Sequence, residues 1–381
     1  MFRLQTPLPG RYTEATDDEL AAMIGAARAE LGERMVVLGH HYQRDEVMRW
    51  ADARGDSFGL SRFAADQDRA EFVVFCGVTF MAEAADVLTR PNQQVILPDL
   101  NAGCSMADMA DLDEVEQAWA ELGKVADLDA VTPVTYMNSS AALKAFVGDH
   151  GGTVCTSSNA KAAVRWALGV ETGVASGAPL IEVVRASARK VLFFPDQHLG
   201  RNTAYALGFE ASDMAVWNPR RDFGGLDEVD VRQATFLLWK GHCSVHQRFK
   251  TGHIDAFRAA HPGGFAVVHP ECAHEVVELA DEVGSTDAII RYVGSAPTGA
   301  HIGVGTEIHL VHRLANEHPD KTIVSLDPLV CPCSTMFRID PQHLAWVLEG
   351  LVEGEVRNRI VVDEQTAASA RLALERMLVI V

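Results

Sequence analysis

Short, continuously apolar runs alternate along the chain with longer segments of helical periodicity. Few of these runs contain alternating polar residues, which is the pattern of strands that are covered on both faces of a parallel sheet. The pattern therefore predicts an α/β fold with helices packed on short parallel sheets. The runs that predict strands are MVVLG, EFVVFCG, QVILPD, PVTYM, GTVCT, VLFFPD, AVVHP, IIRYVGS and TIVSLD.

Helical signals flank this α/β region at both ends. Thr16 to Glu19 (TDDE) has the form of a capping box and predicts a helix that ends near Gly32. The segment after Pro341 predicts two helices, around 343–351 and 366–378, with a strand-like IVV between them.

The same order of strand-end motifs occurs three times along the chain, although the three copies share few identical residues. First strands end in GHHYQ (39–43), TYMNSS (135–140) and VHPE (268–271); second strands end near 77–83, 156–160 and 284–288; third strands end near 95–99, 191–196 and 324–328. We interpret this as three α/β units of roughly 90–140 residues each. The expected domains are 1–106 joined by 334–381, then 107–243, then 244–333, with an insertion near 200–234.

The composition of the chain argues against several classes of binding partner and cellular location. The 381 residues include 33 basic and 52 acidic side chains, a formal charge of −19, and no basic run interrupts this acidity. Nucleic acids and anionic membranes are therefore poor partners. No apolar stretch has the length of a membrane span, the first twenty residues lack a signal-peptide core, and the seven cysteines are irregularly spaced. These features favour a reducing cytoplasm.

Three cysteines, Cys104, Cys243 and Cys333, follow apolar strands and lie in loops marked by glycine or proline. They are too far apart for a local metal finger, so they could meet only if strand ends converge. Three thiolates would suit an iron–sulfur cluster with one open position, and zinc would accept three cysteines plus His242 or His246. The alternative for any single cysteine is a small buried side chain.

The other cysteines divide into two groups. Cys76 and Cys155 lie inside apolar strands, where a buried structural role is expected. The positions of Cys272 and Cys331 leave both interpretations open.

Polar side chains cluster at the carboxyl ends of the first strands, where parallel α/β sheets gather functional groups. They are candidates for acid–base and orienting roles, and the alternatives are a backbone-bonded tyrosine, a helix cap or a salt bridge. These candidates are His40, Tyr42, Tyr136, Asn138, His269 and Glu271.

Hydroxyl side chains occupy matching places after the second strands. They are Ser57 in the first unit, Ser157 in the second, and Ser285 with Thr286 in the third. Hydroxyls and backbone N–H groups at helix starts hold phosphate or carboxylate groups. As helix N-caps, however, such residues need no further function.

Taken together, these motifs resemble the quinolinate synthase A family of iron–sulfur enzymes. The resemblance extends from about Arg34 to the C-terminal helix. It rests on many short sequence motifs that occur together and in the same order. These are HHYQRDEV, GDSFGLSR, FCGVTFMAEAADVL, LPDLNAGCSMAD, TYMNSSAALKA, CTSSNA, KGHCSVHQRF, VHPEC, GST and CPCSTM.

The resemblance implies three pseudo-threefold-related αβα domains with the active site at their junction. It implies a [4Fe–4S] cluster held by Cys104, Cys243 and Cys333, whose open iron acts as a Lewis acid. The implied reaction condenses iminoaspartate with dihydroxyacetone phosphate to give quinolinate, phosphate and water in NAD biosynthesis. An aspartate-oxidising enzyme is an expected transient partner, because iminoaspartate hydrolyses readily.

The resemblance also implies roles for individual residues. Tyr42, Tyr136 and Glu271 would serve as acid–base groups, with His40 and His269 beside them. The implied ligands of substrate carboxylate, hydroxyl and phosphate groups are Ser57, Asn138, Ser157, Ser285 and Thr286, and the motif places His246 close to the cluster-bearing loop.

One departure concerns the third cysteine segment, Cys331-Pro332-Cys333. Some family members space additional cysteines as C-x-x-C-x-x-C, but a disulfide across C-x-C would be strained. Cys331 stays open as an alternative ligand. The alternative classes are a different iron–sulfur dehydratase and a redox sensor, and the acidic chain offers no basic output segment for a sensor.

Overall fold

The computed structural model describes residues 5–170, 180–329 and 332–380, so Cys331 lies outside the described residues. The chain forms two compact units. The first unit comprises Met1–Cys104, Glu307–Glu317 and Leu329–Asp363, and the second comprises Ser105–Thr306, His318–Pro328 and Glu364–Val381. The division into three domains stays a prediction.

The strands of the described residues are short, as the apolar runs predict. In chain order they are β1 (Met35–His40), β2 (Ala53–Gly55), β3 (Phe72–Cys76), β4 (Gln94–Ile96), β5 (Val131–Tyr136), β6 (Thr153–Cys155), β7 (Lys190–Phe194), β8 (Met214–Trp217), β9 (Phe236–Trp239), β10 (Phe265–Val268), β11 (Glu282–Val283), β12 (His301–Gly305), β13 (Thr322–Ser325) and β14 (Arg359–Ile360).

Helices separate most of these strands. They are α1 (Gly10–Thr13), α2 (Asp17–Leu31), α3 (Asp45–Met48), α4 (Ser57–Ala65), α5 (Thr79–Leu88), α6 (Leu112–Leu122), α7 (Ala141–Asp149), α8 (Ala160–Ala167), α9 (Leu180–Ser187), α10 (Gln197–Ala206), α11 (Glu228–Gln233), α12 (Thr251–Ala260), α13 (His274–Leu279), α14 (Thr286–Ser295), α15 (Ile308–Glu317), α16 (Pro341–Val352) and α17 (Glu364–Val379).

The first unit contains one five-stranded sheet in the order β14-β4-β3-β1-β2. Its strands are parallel except β14, which pairs antiparallel with β4. The predicted capping box is present, because the Thr16 side chain accepts from the Glu19 N–H and Glu19 accepts from the Thr16 N–H. Gly32 ends α2 with a φ of 52°, a conformation that favours glycine.

The second unit contains two parallel sheets, in the orders β6-β5-β7-β9-β8 and β11-β10-β12-β13. The predicted α/β class with short parallel sheets is confirmed. Helix α17 packs against α7, where a Cβ on Gly148 would lie 1.9 Å from the Ser369 carbonyl oxygen. The sequence places 334–381 with the first domain, whereas only α16 and β14 of that segment belong to the first unit.

One predicted strand is a helix in the structure, and two interior strands, β9 and β12, lie outside the runs that predict strands. The run IIRYVGS is not a strand but the last seven of the ten residues of α14, which Ser285 caps and which buries Ile289 and Val293 one turn apart. The segment 200–234, predicted as an insertion, contributes β8 to the edge of its sheet. Cys243 accordingly follows β9 rather than the VLFFPD strand. Among the described residues, no helix is both long and apolar enough to cross a membrane.

Candidate active site

The carboxyl ends of β5 and β10 bring a buried polar network together around Glu271 in the second unit. The Tyr136 hydroxyl donates to Glu271 Oε1 at 2.6 Å, and His246 Nδ1 lies 2.9 Å from Oε2. His269 Nδ1 lies 3.7 Å from Oε1. The Sγ of Cys243 and one ligand atom each of His246 and Glu271 lie within 4.8 Å of one another. Four predicted site residues and one predicted ligand therefore share one location.

The two histidines are held by different hydrogen bonds. The Glu271 N–H donates to His269 Nδ1 at 3.3 Å, which leaves the proton of a neutral ring on Nε2. His246 lies between two partners, with Nδ1 on Glu271 and Nε2 3.1 Å from Thr306 Oγ1. The rings of His246 and His269 stack with centroids 4.5 Å apart.

Electrostatics fix the charge states in this network. Burial opposes ionisation of Glu271, but electrostatic interaction with the neighbouring His246 and His269 and the hydrogen bonds from His246 and Tyr136 outweigh it and lower the pKa of Glu271 to about 2. Burial, reinforced by His246, lowers the pKa of His269 to about 3. Near neutral pH the network therefore contains an ionised Glu271 and a neutral His269.

Asp196 is a second buried carboxyl group, and sequence reasoning did not single it out. Its Oδ1 accepts from the His198 N–H at 2.9 Å, whereas its Oδ2 has no hydrogen-bond partner among the described residues. Burial, followed by the charge of Glu271, raises the pKa of Asp196 well above its usual range. Burial likewise lowers the pKa of His198 to about 4, with Arg201 adding to the shift. The only sequence signal was the Pro-Asp pair after the third strand.

The predicted anion-binding residues of the second unit lie at turns and helix starts. Asn138 lies half-buried after β5, and Ser157 lies in the turn between β6 and α8. Ser285 accepts from the Ala288 N–H as N-cap of α14, and Thr286 is the buried first residue of that helix. The capping alternative thus accounts for Ser285, whereas the N-cap position of α8 belongs to another residue.

The first unit carries the remaining polar candidates after β1 and β2. The Tyr42 N–H donates to His40 Nδ1 at 3.1 Å, and the two rings meet edge to face with centroids 4.9 Å apart. Ser57 is the first residue of α4, but the N-cap is Asp56, which accepts from the Gly59 N–H at 2.8 Å. The capping alternative therefore does not account for Ser57.

The predicted cluster ligands differ from the other described cysteines in their surroundings. Cys104, Cys243 and Cys333 are half-buried and lie in loops. Cys76, Cys155 and Cys272 are fully buried, and burial raises the pKa of Cys76 to about 12 and raises those of the other two. Because thiolates are the ligands of iron–sulfur clusters, the half-buried set fits such a group and the buried set does not.

A buried carboxylate supports the Cys333 loop within the first unit, and sequence reasoning missed it. The Cys333 N–H donates to Glu307 Oε1 at 3.2 Å, and His309 Nδ1 lies 2.9 Å from the same oxygen. Glu307 also accepts from the His309 N–H through Oε2. The Thr-Glu pair after β12 was its only signal in the sequence.

Parallel α/β sheets with buried proton-transfer groups at their strand ends and adjacent thiols are typical of metabolic enzymes. Residues 22–379 match the quinolinate synthetase A protein (NadA) family. The chain is 55% identical over 371 residues to the quinolinate synthase of Nocardioides sp., covering 97% of this chain and 91% of that protein. It is 53% identical over 377 residues to the quinolinate synthase of Corynebacterium glutamicum, covering 99% and 91%, and 53% identical over 373 residues to that of Streptomyces coelicolor, covering 97% and 90%. The chain therefore belongs to the quinolinate synthetase A family, enzymes of NAD biosynthesis.

Proposed function

We propose that this enzyme condenses iminoaspartate with dihydroxyacetone phosphate and releases quinolinate, phosphate and water. The observation that supports this most is the buried network of Tyr136, His246, His269 and Glu271 at the strand ends of the second unit. Isomerisation, imine closure and dehydration each move protons, and a network of hydrogen-bonded donors and acceptors suits such transfers.

Within this proposal, Glu271 organises the proton transfers. As long as Tyr136 and His246 donate to it, its charge is stabilised and it is a weak base. A bound substrate that takes over one of these donors leaves a more basic carboxylate in a buried site. Tyr136 then donates its proton to substrate, and Glu271 accepts one. Tyr42, with His40 beside it, provides the second phenol of the predicted acid–base set.

Anionic substrates bind through local donors rather than through net charge. The chain carries a formal charge of −19, so bulk electrostatics would repel carboxylate and phosphate groups. We propose that hydroxyl and N–H groups at turns and helix starts hold these groups. The residues proposed for this role are Ser57, Asn138, Ser157, Ser285 and Thr286.

We also propose that Cys104, Cys243 and Cys333 hold a [4Fe–4S] cluster, with Cys331 as an alternative ligand outside the described residues. When bound, such a cluster supplies an open iron that acts as a Lewis acid toward substrate oxygen or nitrogen. The close approach of Cys243 to His246 and Glu271 favours this assignment, because it places a thiol ligand beside the proposed proton-transfer groups. A cytoplasmic location and transient contact with an aspartate-oxidising enzyme complete the proposal.

An anaerobic assay tests this function. Purified protein should form quinolinate from freshly generated iminoaspartate and dihydroxyacetone phosphate, and Glu271→Gln should lower the rate by about 10²–10⁴-fold while iron content stays unchanged. Gln117→Ala, on the exposed face of α6, serves as the surface control and should keep the wild-type rate. An iron-loaded wild-type protein that forms no quinolinate would contradict the proposal.

A further inference from the structure

One amide side chain, Asn202, holds the carbonyls on both sides of Glu271, while a second, Gln247, donates through Nε2 to the Glu271 carbonyl itself at 3.2 Å. Asn202 on α10 is buried, and its Nδ2 donates to the carbonyl oxygens of Pro270 at 2.8 Å and Cys272 at 2.9 Å. These carbonyls belong to the residues on either side of Glu271. The Asn202 Oδ1 lies 2.9 Å from His274 Nδ1, which must donate because the amide oxygen only accepts.

The loop that carries Tyr42 has the same arrangement in the first unit. Arg313 on α15 is buried, and its guanidinium donates to the carbonyl oxygens of His41, at 2.8 Å, and of Gln43. These carbonyls flank Tyr42 in the chain. The Nε of the same guanidinium donates to Asp45 Oδ1 at 2.6 Å, so a third nitrogen of this side chain is also hydrogen-bonded.

The loop that carries Asn138 completes the set in the second unit. Lys144 on α7 is fully buried, and its Nζ donates to the carbonyl oxygens of Met137, at 2.9 Å, and of Ser139. Here too the two acceptors flank the predicted site residue. This donor comes from the helix that directly follows the loop, whereas Asn202 and Arg313 are far away in sequence from the loops they hold.

We propose that Asn202, Arg313 and Lys144 are positioning residues that set the direction of the Glu271, Tyr42 and Asn138 side chains. The inference rests on the proposed function, because that function gives Glu271, Tyr42 and Asn138 their roles in the site. Anchoring the carbonyls before and after a residue fixes peptide planes on both sides of it, and so restricts its backbone dihedrals. A side chain held in this way meets its substrate with little reorganisation.

Two features argue for positioning over general stabilisation. All three donors act on the residue two positions after a strand-end aromatic or imidazole side chain, namely His40, Tyr136 and His269. The geometry also recurs with three chemically different donors, a guanidinium, an ammonium and an amide. A contact that only stabilised the fold would not need to involve, in all three loops, the carbonyls directly before and after the predicted site residue.

The test uses the full-length, iron-loaded protein. Asn202→Leu removes both donated hydrogen bonds at similar volume, and Asn202→Asp, which is isosteric, is the second variant in case the first does not fold. The matched control is Lys190→Met. Lys190 lies at the amino end of β7, away from the strand ends that carry the site, and its Nζ donates to the carbonyls of Arg232 and Ala234. Hydrogen exchange, iron content, kcat and KM are measured for each.

We expect faster amide exchange in peptides covering 269–273, unchanged iron content and a kcat lower by about 100-fold, with KM changed far less. Lys190→Met should lose stability but keep kcat. Arg313→Lys, which retains a cationic donor, should recover part of the kcat that Arg313→Gln loses. Wild-type kcat or unaltered exchange in the Asn202 variants would overturn the inference. A wild-type protein that forms no quinolinate would instead refute the proposed function, and the exchange data would still decide whether Asn202 orders the loop.

Discussion

At the scale of single residues, the pKa values of two buried carboxyl groups of the second unit are shifted in opposite directions. Glu271 has donors on both oxygens and a lowered pKa, whereas Asp196 has one oxygen without a hydrogen-bond partner among the described residues and a pKa well above its usual range. The charge of Glu271 adds to this difference by raising the pKa of Asp196. Pairs of acids whose environments separate their pKa values are typical of proton-transfer sites.

The raised pKa of Asp196 has a consequence for stability. An aspartate in an unfolded chain has a pKa near 3.9, and the native pKa of Asp196 is higher. Between these two values the native state binds more protons than the unfolded state, so stability falls as pH rises. Asp196→Asn keeps the cap on the His198 N–H and does not titrate. The variant should therefore gain stability relative to wild type as pH rises from about 4.5, with a plateau above the native pKa.

Urea unfolding at several pH values between about 4.5 and 8 checks this prediction. Asp320→Asn is the control, because a hydrogen bond from Thr298 lowers the pKa of exposed Asp320. Its contribution is fully present above the unfolded pKa and is lost only at lower pH, so its difference from wild type should stay flat across this range. A pH-independent difference for Asp196→Asn would contradict the raised pKa of Asp196.

At the scale of elements, the contact between α7 and α17 depends on one glycine. A Cβ on Gly148 would lie 1.9 Å from the Ser369 carbonyl oxygen, a backbone atom that cannot move aside alone. Gly148→Ala should therefore separate the two helices and lower the free energy of unfolding by about 1–3 kcal/mol. Thermal or urea unfolding measures the change.

A helical glycine elsewhere provides the comparison for this prediction. Gly252 lies in α12, and no heavy atom lies within 4 Å of the position of its Cβ. Gly252→Ala should be neutral or stabilising by up to about 1 kcal/mol, because alanine has the higher helix propensity. Equal effects of the two substitutions would show that the close approach of α7 and α17 does not limit stability.

The sequence predicts strands well where apolar runs are short and end in polar motifs. It predicts β1, β5 and β10, each in a different sheet, and it predicts that polar candidate residues follow each of them directly. It fails for IIRYVGS, whose β-branched and aromatic residues favour a strand, while the Ser285 cap and the burial of Ile289 and Val293 establish a helix. Local composition gives no sign of which of these effects is stronger.

Long-range supporting residues are also beyond sequence reasoning. Asn202 lies on α10 and contacts a loop 68 residues later, and Glu307 supports a loop 26 residues away. In the sequence, Asn202 is an ordinary polar residue in the middle of a helix, and Glu307 is one directly before a helix start. Only the fold reveals the carbonyl or N–H group that it meets, whereas local motifs such as Tyr136 and Glu271 could be predicted from the sequence.

At the scale of the whole molecule, the proposed cluster ligands are distributed along most of the chain. Cys104 and Cys333 belong to the first unit and Cys243 to the second. The unfolded chain does not hold these three thiols together, so cluster binding should favour the folded state and raise its thermal stability. Removal of iron by a chelator should lower the Tm of the wild-type protein.

Substitution of single cysteines tests the ligand set. Cys104→Ala, Cys243→Ala and Cys333→Ala should each reduce iron from about four atoms per chain to well below that number, because a three-thiolate cluster loses an anchor. In these variants the chelator should no longer shift the Tm. Cys76→Ala, whose thiol is fully buried in β3, is the control and should retain iron even if the smaller side chain costs about 1–2 kcal/mol of stability. Full iron content in Cys333→Ala, together with its loss in Cys331→Ala, would transfer the third ligand to Cys331.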